Sequence, residues 1–445
     1  MKSPNDRDQL LTEFQQQLAN FEAENSVERW CVALSGGLDS VVLLHLLHLS
    51  QSSRPIRAIH VNHGISLQAA KWQSFCERLC QALNIPIIAE RVSVSDQGSL
   101  EENARKARYQ VFEQNIAQGD VLLMAHHLND QAETFFQRLI RGASISGLAA
   151  IPIERSLASG QLFRPLLGVS RSVLHEYALL LGVDWVEDES NESLQYDRNF
   201  LRHKILPELI GRWPGLLSTV RRTTELLRKD SDSLNYYRSQ WIGQNGQGNW
   251  LDIASLMSLP NYEQLGVLSH WVTTLAGESL SSKQLQVLWS EVCLAKEDAR
   301  SELAVGEHRF RRFRNRLYYS QAAEVFDPGV RLKLDTSSDN KEYELPSGDQ
   351  VSLEAQLGGF VLPEGLVEIR YRQGGERFKP VHEAHHRELK KWLQTQDIPP
   401  WERGRIPLLY CNDKLVSVGD YSFDQAFAAK PDAYGWKLVW NRKKA

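Results

Sequence analysis

The segment that most restricts the fold is a glycine-containing loop between an apolar strand-like run and an apolar helix-like run. Residues 30–34 read WCVAL, residues 41–47 read VVLLHLL, and between them lies Ser35-Gly36-Gly37-Leu38-Asp39-Ser40. Glycines let a backbone approach an anion closely, and the N-terminus of the following helix supplies free N–H groups. The loop has neither the lysine of GxxxxGK[ST] nor the third glycine of a dinucleotide fingerprint. It therefore predicts a different phosphate-binding loop, with a plain tight turn as the alternative.

Strand-like and helix-like patterns alternate over the first two hundred residues. Strands are predicted at 30–34, 57–61, 87–92 and 121–125, and helices at 39–49, 67–83, 99–116 and 129–139. This alternation predicts a parallel sheet covered on both faces, with ligands beyond the carboxyl ends of its strands. Polar clusters follow three of these strands, at 35–40, 62–64 and 126–130. The first part of the chain is therefore expected to be a Rossmann-like α/β domain with its site at that edge.

The rest of the chain changes character twice. From about residue 212 to residue 323 the pattern is helical, and from about residue 327 short β-like runs with glycine and proline breaks take over, around one charged helix. We expect a catalytic α/β domain at 1–215, a helical domain at 216–325 and a small α+β domain at 326–445. Both later domains are expected to bind RNA.

Charge is distributed unevenly along the chain. The net charge is −4, yet residues 308–316 read HRFRRFRNR, and residues 370–391 carry seven Lys or Arg against three Glu. Aromatic residues are interleaved in both stretches, at Phe310, Phe313, Tyr371 and Phe378. This composition is typical of a surface that follows phosphates and stacks bases. A solvated basic face is the open alternative.

Cysteine usage and apolar runs bear on the compartment. The five cysteines form no CxxC pair, and Cys76 and Cys80, one helical turn apart, are expected to be buried small hydrophobes rather than metal ligands. The longest apolar run, 41–49, contains two histidines and is far shorter than the roughly 20 residues of a membrane helix. The N-terminus lacks a secretory pattern. We expect a cytoplasmic protein without a membrane partner.

The loop SGGLDS resembles the pyrophosphate loop of the N-type ATP pyrophosphatases. In that group the loop grips the β- and γ-phosphates while ATP is cut between the α- and β-phosphates. The resemblance therefore implies ATP and Mg²⁺, with residues 35–40 on ATP and Asp39 as the carboxylate that holds the metal or orients the substrate. The loop by itself does not choose among the enzymes of the group.

Further motifs narrow the resemblance to one family. They are HHLNDQAET at 126–134, ENARKARY at 102–109, DESN at 188–191 followed by YDRNFLR at 196–202, GGERFKP at 374–380, LKKW at 389–392 and IPPW at 398–401. In this order, over about residues 28–420, they resemble the tRNA(Ile)-lysidine synthetases, and the chain is identified as a member of that family.

The resemblance implies a reaction and its partners. The family adenylates the C2 carbonyl oxygen of the wobble cytidine in the CAU anticodon of tRNA(Ile). The ε-amine of free L-lysine then attacks C2 and expels AMP, which changes codon reading from AUG to AUA. Lysidine synthetases are often dimers, so a homodimer is an open expectation.

Site residues follow from the matched motifs. Asp130 and Glu133 share one helix face, and the resemblance assigns them, with Arg105, to lysine; Asp39, Asp130 and Arg105 are the expected catalytic residues. Expected contacts to tRNA or phosphate are Arg198, Arg202, Arg309, Arg311, Arg312, Arg377, Lys390 and Lys391.

Simpler interpretations remain open for several of these residues. The two carboxylates also suit a solvated helix N-terminus. Arg105 is placed to form a surface pair with Glu102, and Arg198 and Arg202 to pair with Asp188 or Glu189. The general base for the lysine amine is not identified.

Two positions depart from the family pattern. Asn129 stands where the first Asp of HHxDD is usual, which removes one carboxylate, and Ser144 stands where relatives usually have a second glycine. Neither touches the loop or Asp130, so activity is expected to survive.

Three other functions are alternatives for a chain with this loop. A tRNA 2-thiolase that uses an iron–sulfur cluster or a thiol carrier needs paired or triple cysteines, which the spacing does not supply. A non-enzymatic RNA-binding protein would release no pyrophosphate. An amidotransferase-linked ligase such as asparagine synthetase needs a cysteine after the initiator methionine, and here that residue is Lys2.

Overall fold

The computed structural model describes residues 5–66, 68–94, 100–187, 194–296, 301–322, 327–335 and 341–442. Contacts divide the chain into two units, Met1–Leu234 and Asn235–Ala445. Within the described residues, no helix has both the length and the apolar content needed to cross a membrane.

The first unit contains a six-stranded sheet. Its strands are β1 (Arg29–Ala33), β2 (Ile56–Asn62), β3 (Ile87–Arg91), β4 (Asp120–Leu123), β5 (Glu154–Leu157) and β6 (Gly160–Phe163). The spatial order is β3-β2-β1-β4-β6-β5, and every neighbouring pair is parallel except β5 with β6. The predicted parallel sheet is confirmed, and the hairpin β5–β6 extends it by two strands that the sequence analysis did not identify.

Helices cover this sheet. They are α1 (Asn5–Glu24), α2 (Leu38–Leu49), α3 (Ala69–Ala82), α4 (Leu100–Asn115), α5 (Leu128–Ile140), α6 (Ile145–Leu148), α7 (Arg171–Leu181), α8 (Asp197–Phe200), α9 (Leu206–Arg212) and α10 (Leu216–Asn245), with a π-helical turn at Leu201–Ile205 between α8 and α9.

Both faces of the sheet are buried. Successive side chains of a strand point to opposite faces, so one strand contributes to the core on each side. Trp30 and Val32 of β1 belong to one core cluster, whereas Cys31 between them belongs to the cluster on the other face. Cys76 and Cys80 are buried in the first cluster, as the sequence predicted.

The second unit begins with a mixed α and β region. Its strands are β7 (Gly246–Gln247), β8 (Trp250–Asp252), β9 (Glu302–Val305), β10 (His308–Phe313) and β11 (Arg316–Gln321), and its helices are α11 (Ile253–Met257), α12 (Asn261–Ala276) and α13 (Ser282–Val287), followed by a π-helical turn at Leu288–Cys293.

The prediction of a helical domain at 216–325 needs a correction here. The helices extend to Cys293, but the five strands form an antiparallel sheet in the order β7-β8-β11-β10-β9. Phe310 of β10 and Leu317 and Tyr319 of β11 are buried against the helices. The basic stretch at 308–316 is therefore not part of a helical pattern: it includes strand β10, whose buried side chain is Phe310.

The last region is α+β, as predicted. Its strands are β12 (Leu332–Lys333), β13 (Tyr343–Glu344), β14 (Gln350–Leu357), β15 (Val367–Arg370), β16 (Arg377–Phe378), β17 (Arg387–Glu388), β18 (Leu408–Cys411), β19 (Lys414–Val418), β20 (Ser422–Phe423) and β21 (Tyr434–Asn441), and its helices are α14 (Leu389–Thr395) and a 3₁₀ turn at Gln425–Phe427. The strands form antiparallel sheets of five (β12-β15-β18-β19-β20), three (β13-β14-β21) and two (β16-β17) around one core.

Candidate functional site

The loop after β1 has the backbone shape that its glycines predict. Gly36 has φ 89°, and a Cβ at this position would lie 3.1 Å from the Sγ of Cys76. Its carbonyl oxygen accepts a hydrogen bond from the N–H of Val186 at 2.9 Å. Only glycine fits both the positive φ and the close approach without strain. Gly37, next to it, is the N-cap of α2.

Hydroxyl groups fix the shape of this loop. The Oγ atoms of Ser35 and Ser40 lie 3.0 Å apart, and the Ser40 hydroxyl also donates to the carbonyl oxygen of Gly37 at 2.9 Å. The N-cap residue of α2, Gly37, has no side chain with which to cap the helix N-terminus. Leu38 is buried, so the first turn of α2 is anchored in the core. The loop is therefore a preorganised turn that leads into an uncapped helix N-terminus, which favours an anion.

Asp39 in the first turn of α2 has one free oxygen. Its Oδ2 lies 3.6 Å from Nε2 of His127, whereas its Oδ1 is buried and has no hydrogen-bond partner among the described residues. A buried carboxylate oxygen without a partner is costly unless a ligand completes it. Oxygen is the ligand that Mg²⁺ prefers, and Mg²⁺ is usually held by one or two carboxylates together with substrate phosphates. Asp39 fits that role, and the described residues contain no cluster of three or more metal-binding side chains.

His127 links Asp39 to the start of α5. Its Nδ1 accepts from the N–H of Asp130 at 3.2 Å, and the Asp130 Oδ2 accepts from the N–H of His127 at 3.0 Å. This reciprocal pair is a capping box, which ties both side chains to the helix N-terminus. Burial lowers the pKa of His127, but the carboxylates of Asp39 and Asp130 raise it more, so the net shift is upward.

Four residues predicted for two different ligands contact one another. Arg198 binds Asp130 Oδ1 through Nη2 at 2.6 Å and Glu133 Oε2 through Nε at 2.7 Å. Arg202 binds the same two carboxylates, at 3.1 Å and 2.6 Å. The Glu133 side chain is 1% exposed. The acids expected to hold lysine and the arginines expected to reach phosphate or tRNA therefore neutralise each other here.

The pairing partners differ from those that the sequence suggested. Arg198 and Arg202 do share a face one helical turn apart, but that face contacts α5; Asp188 and Glu189, the expected partners, lie outside the described residues. Burial raises the pKa of Asp130, whereas His127 and Arg198 lower it more, to about 2. Asp130 is therefore ionised at neutral pH.

Asn129 also has a structural partner. Its Oδ1 accepts from the N–H of Arg171 at 3.0 Å, in the first turn of α7. An amide oxygen satisfies this helix N-terminus as a carboxylate oxygen would. The replacement is thus compatible with the local structure. Ser144 is the N-cap of α6, with its hydroxyl 3.0 Å from that of Ser146.

A second cluster at the same edge of the sheet contains arginines. Arg164 follows β6, is 3% exposed, and donates to Nδ1 of His126 at 3.2 Å and to the carbonyl oxygen of Pro152 at 2.7 Å. Burial, together with Arg164, lowers the pKa of His126 to about 3, so this histidine is neutral.

Arg105 belongs to this cluster rather than to the acidic pair. It is exposed and lies over the ring of Tyr109 at 4.9 Å, and its expected surface partner Glu102 instead binds Lys106 at 3.0 Å. Arg155 and Arg164 are not among the predicted site residues. Arg164 directly follows β6, but β6 has no apolar run that marks it as a strand in the sequence.

The arginines of β10 bind other groups of the protein. Arg309 and Arg311 both bind Glu302, and Arg312 donates to the carbonyl oxygens of Cys293 and Ala295. The aromatic side chains interleaved with the basic residues are mostly core. Phe310, Tyr371 and Phe378 are 0%, 3% and 1% exposed, so the prediction that they stack bases is wrong for these three. Phe313 is half-buried, with its ring centroid 6.3 Å from that of Trp401.

The C-terminal basic residues are more accessible. Arg377 on β16 and Lys390 and Lys391 on α14 are exposed. Lys391 pairs with Glu388 at 3.3 Å, whereas Arg377 and Lys390 have no carboxylate partner among the described residues.

Comparison with known proteins gives matches over most of the chain. A PP-loop domain matches residues 10–209, a TilS substrate binding domain matches 251–318 and a TilS substrate C-terminal domain matches 367–440. The tRNA(Ile)-lysidine synthase of Coxiella burnetii is 36% identical over 422 residues, which cover 93% of this chain and 93% of that protein. That of Serratia proteamaculans is 36% identical over 429 residues, with 93% and 95% covered. Among solved structures, a U34-tRNA thiolase from Methanococcus maripaludis aligns over 50% of this chain and 80% of its own, with a TM-score of 0.41 and 19% identity.

Proposed function

The chain belongs to the tRNA(Ile)-lysidine synthase family, and from this premise we propose how its residues carry out the reaction. It is an ATP-using ligase that forms lysidine in tRNA(Ile). The observation that carries the mechanistic proposal is the SGGLDS loop, which leads into a helix with a glycine N-cap and leaves one oxygen of Asp39 without a partner among the described residues.

The first step would activate the cytidine. The backbone N–H groups at the start of α2 would bind the β- and γ-phosphates of ATP, with Asp39 holding Mg²⁺. The metal would spread the negative charge of the phosphates. The C2 carbonyl oxygen of the wobble cytidine would attack the α-phosphorus of ATP. The bond between the α- and β-phosphates would break, pyrophosphate would leave, and an adenylated cytidine would form.

The second step would use free L-lysine. We assign its α-ammonium to Asp130 and Glu133, and its carboxylate or a neighbouring phosphate to Arg105. Because Arg198 and Arg202 already bind the two acids, lysine would enter by displacing a guanidinium group from them. The released arginine would then be available to phosphate. The ε-amine would attack C2, and AMP would leave.

The tRNA would be held by the later parts of the chain. Arg377, Lys390 and Lys391 are the accessible candidates for phosphate contacts. Arg309, Arg311 and Arg312 remain candidates only if they exchange their present protein partners for phosphates. The domain limits 1–215, 216–325 and 326–445, a homodimer and a cytoplasmic location also remain predictions.

One assay tests the reaction. The protein is incubated with ATP, Mg²⁺, radiolabelled lysine and a tRNA(Ile) transcript bearing CAU, and a second transcript has U at the wobble position. We expect label only on the first RNA, together with AMP and pyrophosphate. RNA-dependent ATP cleavage without label would instead support another nucleophile, sulfur first. Absence of both label and cleavage would support a non-enzymatic RNA-binding protein.

The thiolase alternative receives no support from the cysteines. All five are buried and free, and burial raises the pKa of Cys76 to about 12 and that of Cys80 to about 11. Such thiols are poor nucleophiles at neutral pH.

A further inference from the structure

Three arginines from distant parts of the sequence meet around one tyrosine in the first unit. Arg105 on α4 and Arg155 on β5 lie 4.9 Å and 5.0 Å from the ring centroid of Tyr109. Arg164, after β6, acts on the same tyrosine, because burial raises the pKa of Tyr109 while the charges of Arg105 and Arg164 bring it below its usual value. We call Arg105, Arg155, Arg164 and Tyr109 the arginine cluster.

Among the described residues, no carboxylate forms an ion pair with the arginines of this cluster. The guanidinium group of Arg164 is bonded to two neutral acceptors, His126 and the carbonyl oxygen of Pro152. Across the described residues, neither Arg105, Arg155 nor Arg164 has an aspartate or glutamate within 4.0 Å. Burial lowers the pKa of Arg164 to about 10, so it stays protonated at neutral pH. A buried charge without a counter-ion is costly, and an anionic ligand would offset that cost.

A cavity opens beside the cluster. Its volume is about 310 Å³, and its lining residues are Glu102, Arg105, Lys106, Tyr109, Glu113 and Arg155. Glu102 is bound to Lys106. The lining has three cationic side chains against two carboxylates, Glu102 and Glu113, and so keeps a net charge of +1 for an incoming anion. The space is large enough for a phosphate group and several waters.

The cluster lies at the edge of the sheet where ligands bind. Arg164 follows the parallel strand β6, and its partner His126 follows the parallel strand β4. The SGGLDS loop follows β1, which pairs in parallel with β4. The arginine cluster and the phosphate loop therefore share the crevice beyond the carboxyl ends of the strands.

We propose that the arginine cluster is a second anion subsite, which takes a phosphodiester of the RNA strand that carries the reacting cytidine. This inference rests on the proposed function for the identity of the RNA, and of the two partners named there for Arg105 it takes the phosphate rather than the lysine carboxylate. A phosphate of ATP has the same chemistry. The loop before α2 already offers ATP an uncapped helix N-terminus, whereas the RNA needs a fixed backbone to bring one base into the crevice.

The test starts with Arg155→Gln, because Arg155 is exposed and has no other role in the mechanism. Equilibrium binding of the CAU transcript is measured at several salt concentrations, and binding of labelled ATP is measured separately without RNA. We expect the variant to bind RNA several-fold more weakly, with a salt slope smaller by about 0.7–0.9, the value for one lost phosphate contact. ATP affinity should stay unchanged.

A matched control carries the same charge change elsewhere. Arg29→Gln removes an arginine from the opposite end of β1, where its partner is Asp120 at 3.7 Å. We expect this variant to bind both ligands like the wild type. Thermal unfolding of both variants checks that neither loses its fold.

A second arm uses the wild-type protein and a changed RNA. Single methylphosphonates, which lack the phosphate charge, replace each phosphate near the wobble cytidine in turn. One substitution should weaken wild-type binding by the same factor as Arg155→Gln, and should add nothing to that variant. This agreement would identify the phosphate.

Two outcomes would overturn the proposal, and a third would separate it from the proposed function. An equal loss of ATP affinity in Arg155→Gln would assign the subsite to the nucleotide. Unchanged binding of both RNA and ATP would mean that the cluster has a structural role only. If the wild-type protein showed the methylphosphonate pattern but attached no lysine, the subsite would stand and the proposed function would fail.

Discussion

The arginines of strand β10 and those of the arginine cluster differ in whether they have carboxylate partners. The five arginines at residues 308–316 make this the most basic stretch of the chain, yet those of β10 bind Glu302 or backbone carbonyl oxygens. The arginine cluster draws its members from α4, β5 and the end of β6, and no carboxylate among the described residues pairs with them. The stretch of sequence richest in arginine is thus not the place where the structure leaves arginines without a carboxylate partner. Partnered charges such as Glu302 are expected to serve the fold, and unpartnered charges to serve ligands; the ion pairs of Asp130 and Glu133 are expected to do both.

The largest loss of activity is expected at Asp39, whose Oδ1 has no partner in the described part of the chain. Asp39→Asn should lower single-turnover lysidine formation by about 100-fold or more, the scale of losing one preorganised electrostatic contact. Thermal stability should barely change. The control is Asp120→Asn, because Asp120 is buried against Arg57 at 3.4 Å. That variant should lose stability and keep its activity per folded molecule; the reverse pattern would break the comparison.

Glu133 tests the expectation for charges that are paired within the protein. Glu133→Gln leaves Arg198 and Arg202 without one of their two buried carboxylates, so the free energy of unfolding in urea should fall by about 3–5 kcal/mol. Glu302→Gln breaks a pair in which the acid is 39% exposed, and should cost at most about 1 kcal/mol. Equal losses in the two variants would show that burial does not set the energy of these pairs.

The two basic stretches should differ in their effect on RNA. Arg377 is exposed without a carboxylate partner among the described residues, so Arg377→Gln should weaken tRNA binding several-fold and reduce the salt slope by about 0.7–0.9. Arg311 is bound to Glu302, so Arg311→Gln should leave the slope unchanged. A larger slope change for Arg311 would mean that β10 releases its arginines to the RNA.

A pH dependence of stability is expected at His126. Its pKa falls from 6.5 to about 3 in the folded protein, through burial and the nearby arginines. The stability that its neutral form contributes is complete above pH 6.5 and is lost as pH falls toward 3. The melting temperature of His126→Asn should therefore decline less than that of the wild type between pH 6.5 and 4.5. His48→Asn, at an exposed position, controls for the loss of a histidine.

Local patterns predicted the parallel part of the fold well. Buried parallel strands are continuous apolar runs, and WCVAL and VLLMA match β1 and β4 within one or two residues. Strands β5 and β6 read ERSL and GQLF, which contain no such run, so this hairpin was missed. In β10 only Phe310 is fully buried, and its arginines masked the alternation that marks a strand.

Spacing predicted which site residues share a face, but not which faces meet. Asp130 with Glu133, and Arg198 with Arg202, each follow helical periodicity. The ion pairs between them join residues 65 to 72 positions apart, and periodicity carries no information on such contacts. The roles of these residues in binding remain predictions.

The π-helical turn at Leu201–Ile205 has a consequence for the helices on either side of it. A π turn holds one residue more than an α turn, and each residue of a helix corresponds to a rotation of roughly 100° about its axis. Arg202 lies within this turn, and Arg198 lies before it. The residues of α9 therefore continue the helix on faces offset from the one that carries Arg198.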